Sequence, residues 1–155
     1  MFDVTLCFLT RPNEVLLAIK KRGFGAGKWN GIGGKVIPDE TIPAAACREI
    51  QEEIGVIVRK EDLESRGTIE FFFPHKPEWN QRLHIFFVKS WELEPQESEE
   101  MRPLWYAHDQ IPYNEMWVDD FHWLPRVLAG KSIRATFRFK HGFDNELEQM
   151  DIKEI

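Results

Sequence analysis

The sequence predicts an α+β domain in which a mixed β-sheet is flanked by helices. Three observations carry that expectation. Strand-type segments outnumber helical ones, and the two helical segments lie far apart in the chain. No internal repeat, low-complexity stretch or linker divides the 155 residues. They read as one domain, 1–155, large enough to bury a sizeable core.

The elements follow in chain order. Residues 4–9 read as a buried-type apolar run and 14–20 as another, with the turn RPNE between them, so they read as a hairpin. Lys20, Lys21 and Arg22 then open KRGFGAGKWNGIGGK, and six of the ten glycines fall between Gly23 and Gly34. Glycine at this density lets backbone approach a ligand closely and aim N–H groups at it. A plain connecting loop is the alternative, but Phe24, Trp29 and Asn30 favour a loop that lines a site.

A helix is expected from Thr41 as N-cap, with Pro43 in its first turn, to a left-handed stop at Gly55. Pro43, Cys47, Ile50 and Ile54 recur at helical spacing and predict its core-facing stripe. Glu49, Glu52 and Glu53 fall at i, i+3 and i+4, so their carboxylates share another face. Like charges stacked this way repel, and Arg48 offsets only part of that. Alone, such a run is most simply a solvated acidic face. A hard divalent cation held by carboxylate oxygens is the functional alternative.

After the helix come residues 56–58, the polar turn KEDLESRG, a strand over 68–73, the loop PHKPEWNQR and a strand over 83–91. The short connection suggests an antiparallel pair. WELEPQESEE is an acidic, structureless link, and its Glu100, by sequence alone, is a surface acid. MRPLWYA begins a further element. Residues 121–128 read as an amphipathic helix ended by Gly130. The loop before it holds Trp117, Asp119 and Asp120, with Trp123 one turn on. SIRATFRFK alternates as a strand, HGFDNE is a turn, and a last strand lies near 150–155.

Composition limits the function. Hydrophobic residues make up 43% and charged residues 30%, the balance of a soluble globular protein. No apolar run is long enough to span a bilayer. MFDVTLCFLT has no basic segment ahead of its apolar stretch and reads as a strand, not a signal peptide. Cys7 and Cys47 both sit in apolar patterns, as reduced core thiols of a cytoplasmic protein would. There is no C-x-x-C pair to suggest zinc. A net charge of −6 argues against a chain that tracks a nucleic-acid backbone. It is compatible with a triphosphate, if metal ions and a few local cations screen it.

Asp119 and Asp120 are adjacent acids among Trp117, Phe121 and Trp123. Burial and mutual repulsion would raise their pKa values, so one could stay protonated and donate to a purine edge while the other accepts. Trp117 would stack on the ring. The alternative is a pair of acids favoured by a helix N-terminus.

The stretch from Gly34 to Val56 fits G-x5-E-x7-R-E-U-x-E-E-x-G-U at every position, through Gly34, Glu40, Arg48, Glu49, Ile50, Glu52, Glu53, Gly55 and Val56. It resembles the signature of the Nudix hydrolases, which cleave a nucleoside diphosphate linked to another moiety. KRGFGAGKWNGIGGKV, SEEMRPLWY and DQIPYNEMWVDDFHW extend the likeness and narrow it to the oxidised purine nucleoside triphosphatases of that family. The resemblance implies the Nudix α/β/α sandwich and magnesium-dependent hydrolysis of 8-oxo-dGTP and 2-hydroxy-dATP to monophosphate and pyrophosphate, with manganese as a possible substitute. It implies a monomer that removes oxidised DNA precursors, while the charge, the apolar-run lengths and the thiols are what point to no nucleic-acid partner, no membrane and a cytoplasmic location.

By the same resemblance the metal ligands are Glu49, Glu52, Glu53, the carbonyl of Gly33, and Glu100. Arg48 and Glu40 hold the loop to the helix and orient the carboxylates. The base pocket is formed by Asn30, Asp119, Asp120 and Trp117, lined by Thr5, Lys20, Phe24, Phe71 and Trp123. On chemical grounds one carboxylate, or a metal-bound hydroxide, must take the proton from the attacking water; Glu53 and Glu49 are the candidates, and the sequence does not choose between them. The 74–82 loop departs from the family pattern. A pocket methionine of the family has no counterpart, and Asn80 or Gln81 falls near its place. That more polar edge bears on whether oxidised, alkylated or unmodified bases are preferred. The box alone would equally suit a hydrolase of ADP-ribose or a dinucleoside polyphosphate; the pocket segments argue against these. A non-catalytic module would lack a box carboxylate, and none is missing.

Overall fold

The computed structural model describes residues 1–140 and 146–155. The turn expected at HGFDNE therefore lies, apart from Glu146, outside the described residues. The strands are β1 (Phe2–Arg11), β2 (Glu14–Lys20), β3 (Trp29–Asn30), β4 (Leu63–Phe72), β5 (Gln81–Val88), β6 (Met101–Ala107), β7 (Ile133–Phe139) and β8 (Leu147–Glu154). The helices are α1 (Ile42–Ile54) and α2 (Asp120–Leu128). The architecture is the expected α+β sandwich.

β1 and β2 form the predicted hairpin, with Asn13 at φ 62° in the turn, but they pair only through Thr10–Val15 and Arg11–Glu14. They then diverge. β1 runs parallel to β5 from Phe2 to Leu9, while β2 pairs with β6 along its length and with β3 near its end. The glycine-rich segment fills the gap. Cys7 N–H donates to the Ile32 carbonyl at 2.6 Å, Thr5 N–H to Gly34 at 2.9 Å and Val36 N–H to Asp3 at 3.0 Å. The larger part of the sheet is mixed: β1/β5 and β4/β7 are parallel, β4/β5 and β7/β8 antiparallel.

Alternation along the buried strands divides the core in two. On one face Leu6, Phe8, Ile69, Phe71, Ile85 and Phe137 pack with Trp123, Leu124 and Val127 of α2. On the other, Cys7, Leu9, Phe86 and Val88 pack with Ala46, Ile50 and Ile54 of α1. The sheet is thus covered by one helix on each face. Among the described residues, no helix is long and apolar enough to cross a membrane.

Three local readings are corrected. β4 starts at Leu63 rather than 68; of the polar stretch only Lys60–Asp62 forms a helical turn. The register shifts between Ser65 and Gly67, and this bulge hides the strand's alternation from the sequence. Gly67, at φ 109°, is needed there, because a Cβ would lie 1.7 Å from the Ile133 carbonyl oxygen. The buried stripe of α1 is Ala45, Ala46, Ile50 and Ile54, while Pro43 and Cys47 are only partly covered. Small alanines let the helix sit close against the sheet. β5 ends at Val88, and Trp91 leaves the strand to stack on Trp105 at 5.9 Å.

Candidate active site

The termini of α1 form as the sequence dictates. Thr41 Oγ1 accepts from Ala44 N–H at 3.2 Å, and Gly55 closes the helix at φ 70°. This fixes Arg48, Glu49, Glu52 and Glu53 on the side of the helix that meets the glycine loop. Arg48 is the hub. Its Nε and Nη2 form a fork on Glu40 at 2.6 and 2.9 Å. Nη1 donates to Glu49 at 2.9 Å and Glu52 at 3.2 Å, and Nη2 also reaches the Lys35 carbonyl at 3.2 Å. One guanidinium therefore ties the loop to the helix and holds two of the three carboxylates. It also holds the Glu40 carboxyl below its usual range.

Glu53 is different. It is mostly buried, and its Oε2 has no hydrogen-bond partner. Burial first, then repulsion from Glu49 and Glu100, pushes its pKa up to about 8, against a hydrogen bond from the Gly33 backbone and the charge of Lys20. Gly33 is glycine because a Cβ would lie 1.8 Å from the Thr5 carbonyl oxygen. At Gly34 a Cβ would lie 2.6 Å from the Glu49 carboxyl carbon, so the loop touches the acid face directly. Glu100 is exposed and stands 3.7 Å from Arg22, although its charge is felt at Glu53.

Among the described residues, no three metal-ligating side chains are gathered into a ready coordination shell. The Glu49 and Glu52 carboxylates face Arg48 instead. The donors nevertheless suit a hard divalent cation. They are all oxygen, they repel one another, and a buried carboxylate oxygen stands unpartnered beside them.

A cleft of about 500 Å³ opens between the diverging strands, β4/β5 and the loop before α2. Thr5, Lys20, Phe24, Asn30, Gly33, Glu53, Phe71, Trp117, Asp119 and Asp120 all line it. Segments far apart in the chain thus share one space. Glu49, Glu52 and Glu100 lie outside its lining. So does Trp123, which is corrected from pocket wall to core. It is fully buried, packs on Phe8 at 6.2 Å and donates from Nε1 to Asp119 Oδ2 at 2.9 Å. Its role is to hold Asp119.

Asp119 and Asp120 are 5% and 3% exposed. Asp119 occupies the N-cap position of α2 without making a capping hydrogen bond, and Asp120 Oδ2 has no partner. A side-chain cap therefore does not account for Asp119, while Asp120 sits in the first turn of α2, where the helix dipole favours an acid. Burial raises both pKa values, and repulsion from Asp119 raises Asp120 further, while the Trp123 hydrogen bond restrains Asp119. Burial and mutual repulsion disfavour ionising both carboxyls, and a proton kept on one of them gives an adjacent donor and acceptor. Trp117 stacks on Phe24 at 5.5 Å, and Lys28 Nζ stands 5.0 Å over the Trp117 ring.

Sequence reasoning missed Lys28, Phe73, Phe139 and Met101 in the lining. Lys28 adjoins the named Trp29, and its charge also acts on Asp120. Phe73 and Phe139 extend the inward alternation of β4 and β7, a signal that was present. Of the two residues at the departing loop, Gln81 lines the cleft; Asn80 instead accepts from Phe73 N–H at 2.8 Å.

These features are those of a nucleotide hydrolase, and the chain belongs to the Nudix family: a NUDIX domain matches residues 2–127. Nudix hydrolases generally work with divalent metal ions. Within the family, the chain is 47% identical over 137 residues to the oxidized purine nucleoside triphosphate hydrolase of Danio rerio, covering 88% of this chain and 86% of that one. It is 46% identical over 136 residues to the Mus musculus protein of the same name, covering 88% and 85%. Among solved structures, the MutT protein of Bacillus halodurans superposes with a TM-score of 0.79 over 99% of this chain and 98% of that one. At 23% identity that likeness speaks for the fold.

Proposed function

We propose that the chain, as a single-domain cytoplasmic monomer, hydrolyses oxidised purine nucleoside triphosphates such as 8-oxo-dGTP and 2-hydroxy-dATP to monophosphate and pyrophosphate. Magnesium is the proposed cofactor, with manganese able to replace it. The observation that carries the reading is the shared cleft: Asn30, Asp119 and Asp120 face the same space as Gly33 and Glu53. The vertebrate relatives bearing that activity in their names support the substrate class.

A bound divalent cation supplies charge against the polyphosphate and polarises its phosphoryl oxygens. Glu49, Glu52, Glu53, Glu100 and the Gly33 carbonyl are the residues that would hold it. Glu53 is the proposed proton acceptor for the attacking water, because its Oε2 is unpartnered while a Glu49 oxygen is held by Arg48. Arg48 and Glu40 position the carboxylates, and Lys20 screens the phosphates. Asp119 and Asp120 present one donor and one acceptor to the purine edge, Asn30 adds an amide, and Trp117 with Phe24 forms the aromatic wall.

Product analysis tests this reading. With magnesium and 8-oxo-dGTP, monophosphate and pyrophosphate should appear in equal amounts. Release of orthophosphate, or faster turnover of ADP-ribose or a dinucleoside polyphosphate, would sink it.

A further inference from the structure

One row of the sheet crosses the cleft wall. Phe2, Gln81 and Phe71 are directly paired in register, and Phe71 is paired in turn with Phe137. Residues paired in this way project from the same face. Gln81 is thus an amide flanked in its row by Phe2 and Phe71, and it lines the same cleft as Asp119 and Asp120. Its orientation is fixed. Nε2 donates to the Trp79 carbonyl at 3.1 Å, and a carbonyl can only accept. Oε1 is therefore on the other side of the amide, and it has no hydrogen-bond partner among the described residues.

An unpaired acceptor in an apolar wall selects its ligand. A base that covers it without offering a donor is penalised on the order of 10- to 100-fold. Guanine presents a lone pair at N7 and a hydrogen on C8. Its 8-oxo form carries C8=O and gains an N–H at N7, so the same edge changes from acceptor to donor. If the adjacent acids hold the Watson–Crick edge, one donating to O6 and the other accepting from N1–H and the 2-amino group, the N7–C8 edge is left for another partner.

We propose that Gln81 is a specificity-determining residue whose Oε1 accepts the N7–H that oxidation of guanine creates. The same oxygen opposes the N7 lone pair of unmodified guanine. This deepens the proposed function and rests on it. The discrimination lies in binding, so it acts on KM more than on kcat.

The test measures kcat and KM for the wild type and Gln81→Leu with three substrates: 8-oxo-dGTP, dGTP and 7-deaza-8-oxo-dGTP, whose C7–H cannot donate as N7–H does. The wild type should use the 7-deaza compound about 10-fold less efficiently than 8-oxo-dGTP, through KM. In Gln81→Leu that gap should close, and the preference for 8-oxo-dGTP over dGTP should fall about 10-fold. Equal efficiency of the wild type with the two 8-oxo compounds overturns the proposal without needing the variant. So does a folded Gln81→Leu that keeps the wild-type preference. A wild type that does not prefer 8-oxo-dGTP to dGTP overturns the proposed function, and this inference with it.

Discussion

Asp119→Asn separates the folding role of the acid pair from its binding role. The Asp119 carboxyl is pushed up from 3.8 to about 6, chiefly by burial. A rise of about two pH units corresponds to roughly 3 kcal/mol at 1.36 kcal/mol per unit. The sign follows from proton uptake. Between about pH 4 and pH 6 the folded protein keeps a proton that the unfolded chain releases. Stability therefore falls as pH rises through that window, and the full penalty persists above it. Asparagine does not titrate, and its Oδ1 can still accept from Trp123. Its amide N–H groups need partners, and the unpartnered Asp120 Oδ2 is adjacent. Allowing for imperfect satisfaction, Asp119→Asn should be more stable than the wild type by roughly 1–3 kcal/mol at about pH 7.5 and gain little below about pH 4. Urea unfolding across that range, without nucleotide, measures the difference. The same variant should lose about 10- to 100-fold in kcat/KM for 8-oxo-dGTP, because the donor–acceptor pattern is changed. A stability difference that does not vary with pH, or a destabilised variant at neutral pH, would refute the reasoning.

Other perturbations follow from the same geometry. Glu53→Gln should lower kcat by on the order of 100-fold or more while the protein melts within a few degrees of wild type, checked by turnover and thermal unfolding side by side. Gly33→Ala should cost roughly 3 kcal/mol or more and abolish activity, since its Cβ would overlap the Thr5 carbonyl. Gly34→Ala should instead spare stability and reduce kcat, because the displaced group is the Glu49 carboxylate. Arg48→Lys keeps the charge but loses the fork on Glu40; activity should drop about 10-fold or more with a stability change under about 1 kcal/mol. Chelation by EDTA should stop turnover, and added magnesium should restore it.

Local signals were legible where one short segment determines the outcome. The caps of α1, the Asn13 turn and the alternation of β7 are properties of a few adjacent residues. β4 was misread because its bulge at Ser65–Gly67 breaks the two-residue period, and the partner that requires Gly67, Ile133, is distant in sequence. The acidic face of α1 was legible from spacing alone, but its engagement with Arg48 depends on Glu40 and Lys35 folding back. The cleft was half legible. Phe24 and Asn30 announced themselves by sitting in a glycine-rich loop, and Asp119 and Asp120 by standing together among aromatics. Trp123 was misplaced because an indole one helical turn from an acid can face a ligand or the core, and only packing against Phe8 decides. The resemblance left Asn80 and Gln81 as alternatives at the pocket edge, and the register that sets Gln81 between Phe2 and Phe71 decides for Gln81.

The most direct test compares kcat/KM for 8-oxo-dGTP and dGTP under the same magnesium concentration at neutral pH. An acid pair sharing one proton, an aromatic wall and Gln81 in the same cleft predict a preference for 8-oxo-dGTP of about 10-fold or more. Equal turnover of the two nucleotides, preference for dGTP, or hydrolysis of neither would contradict the account.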